Sequence, residues 1–320
     1  MKALVFEGRD LHLQDVPIPT PGRHEALIRV LYAGICNTDI EILKGYMNFQ
    51  GIIGHEFVGV VEKCPYPDLV GKTVVGEINV SCGKCEFCLK GMKNHCPNRS
   101  VLGIKDKNGA MAEYVTLPIA NLHVLPPKIS HLEGVFVEPL AAACEILEQI
   151  DIQPEYRVLL VGDGKLAQLI AQVLRHHTQN LTVVGKHRNK LKLMEEHGIR
   201  TVLLENLDFP PKYFHMVVEA TGNPSGLDIA LQYIRPRGFL VLKSTYYGEH
   251  PFNPAQIVID ELNVIGSRCG PFPRAISLLE HREVMVESLI SGIFPLEQWK
   301  LAFQKAQAPN ALKIILQISE

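Results

Sequence analysis

Apolar residues are distributed differently along the two parts of this chain. Up to about residue 130, short apolar and β-branched runs alternate with glycine and proline, as in Ala26–Val30, Val58–Glu62 and Thr73–Val75. Runs of this length, bounded by such residues, predict β-strands. Helical periodicity is scarce here, so the pattern predicts a β-rich region.

The pattern changes near Leu140. Short apolar runs predict buried parallel strands at Val158–Val161, Leu181–Val184, Val202–Leu204, Met216–Val218 and Phe239–Leu242. Amphipathic stretches between them predict helices at Lys165–Arg175, Asn189–His197 and Leu227–Ile234. This alternation indicates a doubly wound α/β sheet, so the predicted class is α/β with a separate β-rich domain. The remaining residues mix both patterns, with strands near Val264 and 313–318.

Composition narrows the possible functions. A chain of 320 residues is long enough for two domains. Its formal charge of −2 argues against a nucleic-acid partner. No apolar stretch approaches the roughly 18 residues that a membrane span needs, and acid residues follow the start too soon for a signal peptide. We therefore expect a cytoplasmic protein.

Four of the eight cysteines, Cys82, Cys85, Cys88 and Cys96, lie close together in the sequence. In a cytoplasmic protein such a cluster binds metal more often than it forms disulfides. Zinc bound by four thiolates has no open coordination position. The cluster predicts a structural zinc site, so any chemistry takes place elsewhere.

A glycine motif predicts a dinucleotide site. The strand Val158–Val161 runs into Gly162-Asp163-Gly164-Lys165-Leu166-Ala167 and then a helix. In this context Gly162 permits the tight turn and Gly164 lets the backbone approach a diphosphate, which the N-terminus of the helix stabilises. Lys165 and Leu166 complete the predicted binding turn. Asp163 adds a negative charge beside the expected diphosphate unless its side chain points outward.

The end of the next strand predicts which cofactor binds. A site for NAD places Asp or Glu there to bind the ribose 2′-hydroxyl. Here Gly185 stands at the strand end, followed by Lys186 and Arg188. Space and positive charge favour a 2′-phosphate, so we predict that NADP(H) is preferred over NAD(H). An ordinary solvated basic turn is the alternative.

A further turn lies after another strand of the predicted sheet. Ligands bind at the carboxyl ends of such strands. Thr221 follows the strand ending at Glu219 and is therefore a candidate neighbour of the nicotinamide. An ordinary strand-to-helix turn explains the residue equally well.

Three separate residues are candidates for a second zinc site. A catalytic zinc takes three protein ligands from Cys, His and carboxylate and keeps one position open. Cys36, His55 and Glu138 would supply one of each. Each alone is also typical of a buried cysteine, a core histidine or a glutamate at the start of a helix.

The order of these motifs resembles a known family. They run as Cys36-Asn37-Thr38-Asp39, Gly54-His55-Glu56, the four cysteines, Glu138-Pro139-Leu140-Ala141 and the glycine turn. Over essentially its full length the chain resembles the zinc-dependent medium-chain alcohol dehydrogenases. Glu138 makes it similar to their polyol, sugar and threonine dehydrogenase branch.

The resemblance implies a fold and an assembly. A GroES-like catalytic domain, residues 1–139 and 266–320, would carry the structural zinc lobe at about 80–98. A Rossmann domain, residues 140–265, would be inserted into it. The resemblance also implies two zinc ions per chain, one catalytic and one structural, and a homodimer or homotetramer.

Residue roles follow from the same resemblance. Cys36 and His55 would bind the catalytic zinc, Glu138 would complete the site directly or through water, and Glu56 could exchange onto the metal. The reaction would transfer hydride between NADP(H) and an alcohol or polyol, or the matching aldehyde or ketone.

Two further roles concern the proton and the cofactor phosphate. Thr38 matches the hydroxyl that relays the substrate proton. The family often continues the relay with a histidine where this chain has Glu41, which leaves either Glu41 or a bypass through ribose and water as the exit. Arg268 lies where the family often places an arginine for a cofactor phosphate.

Two other functions fit part of the sequence. The cysteine cluster alone is compatible with a non-enzymatic zinc knuckle that contacts nucleic acid or protein. The glycine motif alone is compatible with a zinc-independent quinone or enoyl reductase of the same superfamily, although those enzymes lack the metal residues that this chain has. The sequence identifies neither the substrate nor the physiological direction.

Overall fold

The computed structural model describes residues 1–245, 251 and 253–319. These residues form two compact units. Unit 1 comprises Met1–Glu138, Phe272–Glu280 and Ile290–Glu320, and unit 2 comprises Pro139–Pro271 and His281–Leu289. The domain limits expected from the sequence, 139/140 and 265/266, stay a prediction.

Unit 1 is built mainly from short strands. Its strands are β1 (Lys2–Glu7), β2 (Asp10–Asp15), β3 (Glu25–Gly34), β4 (Gly51–Ile52), β5 (Glu56–Lys63), β6 (Thr73–Gly76), β7 (Asn79–Val80), β8 (Ser100–Leu102), β9 (Asp106–Lys107), β10 (Tyr114–Pro118), β11 (Leu122–Val124), and, after unit 2, β18 (Ile290–Pro295) and β19 (Lys313–Gln317). Its helices are α1 (Asn37–Leu43), α2 (Glu86–Leu89), α3 (His131–Gly134), α9 (Phe272–Glu280) and α10 (Trp299–Ala306).

The long strand β3 organises the main sheet of unit 1. The strand order is β11-β6-β5-β3-β19-β18, and β10 also pairs with β3. β10 pairs with residues 25–29 of β3, whereas β19 pairs with residues 32–34. Two smaller sheets accompany it, β2-β1-β4 and β7-β8-β9. Seven of the ten β3 residues are buried, as a strand at the centre of a core requires.

Unit 2 is a parallel sheet with intervening helices. Its strands are β12 (Val158–Val161), β13 (Leu181–Gly185), β14 (Arg200–Leu203), β15 (Phe214–Glu219), β16 (Ile234–Leu242) and β17 (Asn263–Gly266). Its helices are α5 (Lys165–Leu174), α6 (Arg188–Glu196), α7 (Ser225–Tyr233) and α8 (Ala255–Ile259). The unit boundary falls within α4 (Val137–Gln149).

The strand order of unit 2 is β14-β13-β12-β15-β16-β17, and every pairing is parallel. This is the doubly wound order in which the first strand lies at the centre and ligands bind beyond the carboxyl ends of the strands. All four residues of β12 are buried. The predicted α/β fold class, with a second β-rich domain, is confirmed. No described helix is long and apolar enough to cross a membrane.

Candidate functional site

The four clustered cysteines converge in unit 1. Sγ–Sγ distances are 3.5 Å for Cys85 to Cys88, 3.7 Å for Cys85 to Cys96 and 3.5 Å for Cys96 to Cys82. These distances are far beyond a disulfide bond. Sulfur ligands about 2.3 Å from a zinc ion in a tetrahedron lie about 3.8 Å apart. The arrangement therefore fits a four-thiolate zinc site.

Backbone N–H groups near these cysteines change the pKa values of their thiols. Backbone N–H groups of Lys84 and Cys85 lower the pKa of Cys82 to about 6. For Cys85 the N–H of Cys88 acts in the same direction, but desolvation and the neighbouring thiols outweigh it and raise the pKa to about 11. One thiol thus ionises readily while another holds its proton. A metal ion, which binds cysteine as the thiolate, would displace the proton of Cys85.

A second group of metal-binding side chains forms where β3, α1 and β5 meet. Donor atoms of Cys36, His55 and Glu56 lie within 4.8 Å of one another. Cys36 caps α1, and His55 directly precedes β5. His55 is 3% exposed and Glu56 is 1% exposed, whereas Cys36 is only partly buried. A thiol, an imidazole and a carboxylate form the mixed donor set that catalytic zinc prefers.

Asp39 connects two members of this group and was not assigned a role from the sequence. One carboxylate oxygen accepts the backbone N–H of Cys36 at 2.8 Å. The other lies 3.3 Å from His55 Nδ1, although neither atom makes a hydrogen bond among the described residues. Asp39 is fully buried, so its charge acts on His55 through little solvent. A carboxylate beside a metal-binding histidine is a common outer-shell arrangement.

The charges in this group strongly favour a bound cation. Burial alone lowers the pKa of His55, but the negative charges of Asp39 and Cys36 outweigh burial and raise it well above 6.5. The same negative charges would stabilise a metal cation, which binds the neutral imidazole.

Glu56 also forms an ion pair that the sequence did not reveal. Lys313 Nζ, on β19, makes a short salt bridge to the Glu56 carboxylate, and both side chains are 1% exposed. Lys313 Nζ also lies 5.6 Å from the centre of the Phe136 ring. The only sequence signal is a lysine that interrupts an apolar final strand. This ion pair fixes Glu56 beside Cys36 and His55.

The other residues of unit 1 predicted for this site are Thr38, Glu41 and Glu138. Thr38 Oγ1 lies 3.7 Å from Cys36 Sγ. Glu41, one helical turn later, is buried and accepts a hydrogen bond from Lys44 Nζ at 2.8 Å. Glu138 lies half-buried in the first turn of α4 and does not belong to the three-residue donor group found among the described residues.

The glycine turn of unit 2 has the conformation that a dinucleotide turn requires. Gly162 has φ of +130°, and a Cβ there would lie 2.6 Å from the carbonyl oxygen of Ala220. Its N–H donates to the Val184 carbonyl at 2.8 Å. Gly164 caps α5, so Lys165 and Leu166 lie in its first turn, where the backbone N–H groups precede the helical hydrogen-bond ladder. This helix end can hold a diphosphate.

Asp163 points towards the next strand instead of outward. Its Oδ2 accepts the backbone N–H groups of Lys186 at 2.6 Å and His187 at 2.7 Å. His187 Nδ1 lies 3.0 Å from its Oδ1. The side chain is buried, and a Cβ on Gly185 would lie 2.5 Å from Oδ2. The carboxylate therefore fills the space at the end of β13.

Lys186 and Arg188 are exposed beside this carboxylate. Arg188 forms an ion pair with Glu195 on the same helix, with an N–O distance of 3.0 Å. Lys190 is buried, and burial lowers its pKa while the charge of Asp163 acts in the opposite direction. The turn thus holds one carboxylate and several cations.

The remaining predicted cofactor residues lie at strand ends of unit 2. Thr221 follows β15, is exposed, and donates its hydroxyl hydrogen bond to Glu219 Oε1 at 2.6 Å. Arg268 is exposed beyond β17, where its backbone carbonyl accepts a hydrogen bond from the buried Lys243 at 3.3 Å. Both lie beyond the carboxyl edge of the sheet, where ligands bind in this fold.

Comparisons with known proteins find a matching domain for the metal-binding residues of unit 1 and another for the dinucleotide turn region of unit 2. Residues 22–127 match the family model for the alcohol dehydrogenase GroES-like domain, and residues 166–281 match the zinc-binding dehydrogenase model. The sorbitol dehydrogenase of Halalkalibacterium halodurans is 28% identical over 340 residues, which cover 99% of each chain.

Solved structures are similar over nearly the whole chain. A zinc-binding dehydrogenase from Sinorhizobium meliloti 1021, bound to NADP, has a TM-score of 0.89 at 26% identity and is covered to 98%, with 99% of this chain. An alcohol dehydrogenase from E. coli CFT073, complexed with NADH, has a TM-score of 0.89 at 26% identity, with 99% of both chains covered. These two structures hold different cofactors. The chain therefore belongs to the zinc-dependent medium-chain alcohol dehydrogenase family of oxidoreductases.

Proposed function

We propose that this protein transfers a hydride between a nicotinamide dinucleotide and an alcohol or polyol, or the matching aldehyde or ketone. The observation that carries the proposal is the convergence of partly buried Cys36 with buried His55 and Glu56, beside Asp39. The sorbitol dehydrogenase relative supports a polyol as the substrate class. A cytoplasmic location stays a prediction from the sequence.

Two zinc sites are part of the proposal. Cys82, Cys85, Cys88 and Cys96 would hold a structural ion, and their spacing leaves no position for substrate. Cys36 and His55 would hold the catalytic ion, with Glu56 as the nearby carboxylate and Glu138 as the alternative third ligand. A zinc ion in this second site supplies Lewis acidity towards the substrate oxygen.

Side chains of the protein then orient the metal site and move the proton. Asp39 orients His55 and favours its binding to a cation. Thr38, whose hydroxyl lies next to Cys36, takes the proton of the substrate hydroxyl. Glu41, one helical turn after Thr38, is the proposed acceptor, with Lys44 holding its carboxylate in place.

We also propose that NADP(H) is preferred over NAD(H). Support comes from the exposed cations Lys186 and Arg188, since the Asp163 carboxylate fills the space beside Gly185. The glycine turn and the first turn of α5 would bind the diphosphate. Thr221 would lie near the nicotinamide, and Arg268 is the proposed partner of a cofactor phosphate.

A homodimer or homotetramer is the proposed assembly. β17 ends the six-stranded sheet, and among the described residues no strand pairs with its outer edge. On the preceding helix α8, Val258 and Ile259 are 75% and 77% exposed. An open strand edge with apolar neighbours favours pairing with a second copy of the chain.

Metal analysis combined with an activity screen tests the catalytic site. We expect two zinc ions per chain, and one after Cys36→Ser. Because losing even an outer-shell partner of a metal costs 10–100-fold, we expect this ligand change to lower turnover at least about 100-fold. The screen would cover alcohols, polyols, aldehydes and ketones with both cofactors.

Cys64→Ser is the matched control. Cys64 is a partly buried thiol whose Sγ contacts the Tyr66 carbonyl at 3.0 Å, so its loss should leave both metal content and turnover unchanged. One zinc in the native protein, with turnover unaffected by Cys36→Ser, would instead identify a zinc-independent reductase. Salt-sensitive RNA binding without turnover would identify the zinc-knuckle alternative.

A further inference from the structure

Asp163 supplies the charge that residue 185 lacks. In this fold the adenosine ribose is recognised by a carboxylate at the end of the second strand of the sheet. Residue 185 is glycine and provides none. The Asp163 carboxylate lies there nevertheless, since a Cβ on Gly185 would touch its Oδ2 at 2.5 Å. The carboxylate comes from the glycine turn after β12 instead of from β13.

The position of this carboxylate is fixed by its contacts. Two backbone N–H groups, a histidine ring and burial in the turn hold it. Gln168 on α5 also ties the turn to α6, since its Nε2 donates to the Lys190 carbonyl at 2.9 Å. The carboxylate is therefore not free to rotate away from an incoming cofactor.

Asp163 acts against a 2′-phosphate in two ways. Its negative charge repels a second anion at short range in a partly buried site. It also occupies the N–H groups of Lys186 and His187, which would otherwise be donors for phosphate oxygens. Lys186 and Arg188 act in the opposite direction, although Arg188 is already paired with Glu195.

We infer that Asp163 is a specificity-determining residue that limits the preference of this site for a 2′-phosphate over a 2′-hydroxyl. The inference rests on the proposed dinucleotide site. The residue that determines cofactor specificity would thus lie on the glycine turn after β12. The identity of residue 185 alone gives no indication of this.

The test compares kcat/KM for NADPH with kcat/KM for NADH. Asp163→Asn keeps the size of the side chain and removes its charge, so this ratio should rise about tenfold or more. Asp163→Ser removes the charge and keeps a hydrogen-bond acceptor, so it should raise the ratio in the same direction. Asp208→Asn, an exposed aspartate in the same unit, makes the same change in net charge and should leave the ratio unchanged.

The outcomes separate this inference from the proposed function. If both cofactors support turnover and the ratio stays within twofold in the folded Asp163 variants, Asp163 has no role in specificity. An equal loss with both cofactors means that Asp163 only holds the turn together, which also overturns the inference. If the native protein binds neither NADPH nor NADH in a fluorescence titration, the proposed function itself is wrong.

Discussion

At the scale of single residues, the candidate metal site depends on partners distant in the sequence. Lys313 lies 257 positions from Glu56, yet the two form a fully buried ion pair. A buried ion pair adds little net stability, but removing one member leaves an uncompensated charge. The pair therefore holds Glu56 in position more than it stabilises the fold.

Lys313→Met tests this ion pair. Loss of the Lys313 charge beside the buried Glu56 carboxylate should reduce the free energy of unfolding by about 3–5 kcal/mol, measured by urea denaturation at a fixed zinc concentration. Adding Glu56→Gln removes the buried charge and should restore most of the loss. Equal stability of the single and double variants would show that the charge of Glu56 is compensated elsewhere.

At the scale of elements, the carboxylate of Glu77 links the cysteine lobe to the main sheet of unit 1. Glu77, just after β6, lies 2.9 Å from Lys93 Nζ in the lobe and 2.9 Å from His123 Nε2 on β11. Burial alone raises the pKa of Glu77, but the hydrogen bonds to His123 and Lys93 outweigh burial and lower it below 4.5. The ionised carboxylate is therefore favoured in the folded chain.

This shift predicts an acid-dependent contribution to stability. Because the folded pKa is the lower one, the contribution is complete above pH 4.5 and disappears as the pH falls through the folded pKa. Glu77→Gln should cost on the order of 1 kcal/mol at pH 7, after allowance for solvent screening. Urea denaturation of both proteins at several pH values should show this difference vanish well below pH 4.5. A difference that is independent of pH would contradict the proposed role of ionised Glu77.

Elements with a strong local pattern could be predicted from the sequence, but several of their partners could not. β12 begins and ends at the predicted residues, because a strand buried on both faces is a continuous apolar run. β18 was missed, since its exposure alternates and Gly292 and Pro295 weaken the strand pattern. Asp39 and Lys313 were missed as partners because only the fold brings them to His55 and Glu56.

At the scale of the whole molecule, the two units have different kinds of sheet edge. β17 is an edge strand of the parallel sheet of unit 2 and follows a helix with exposed apolar residues, whereas β18 is an edge strand of the main sheet of unit 1. Val264 on β17 and Ile293 on β18 are similarly exposed, at 40% and 42%. The proposed assembly uses the β17 edge, so a charge introduced close to β17 should disrupt it, whereas a charge introduced on β18 should not.

Light scattering coupled to size-exclusion chromatography tests the assembly. We expect the native protein to be a dimer or tetramer and Ile259→Asp to lower its mass, because a buried charge at the contact is costly. Ile293→Lys on β18 is the control and should leave the mass unchanged. A monomeric native protein, or a loss of mass only with Ile293→Lys, would contradict the β17 interface.

The pairing of β3 with β19 has a consequence for synthesis on the ribosome. Gly34 pairs with Ile315, so part of one edge of β3 stays open until the last strand has emerged. Unit 2 is almost continuous in the sequence and can be completed before that. Lys313 arrives with the same strand, and until then Glu56 lacks the cation that fixes it. The interrupted unit is therefore completed after unit 2, and Glu56 takes its fixed position beside Cys36 and His55 only at that stage.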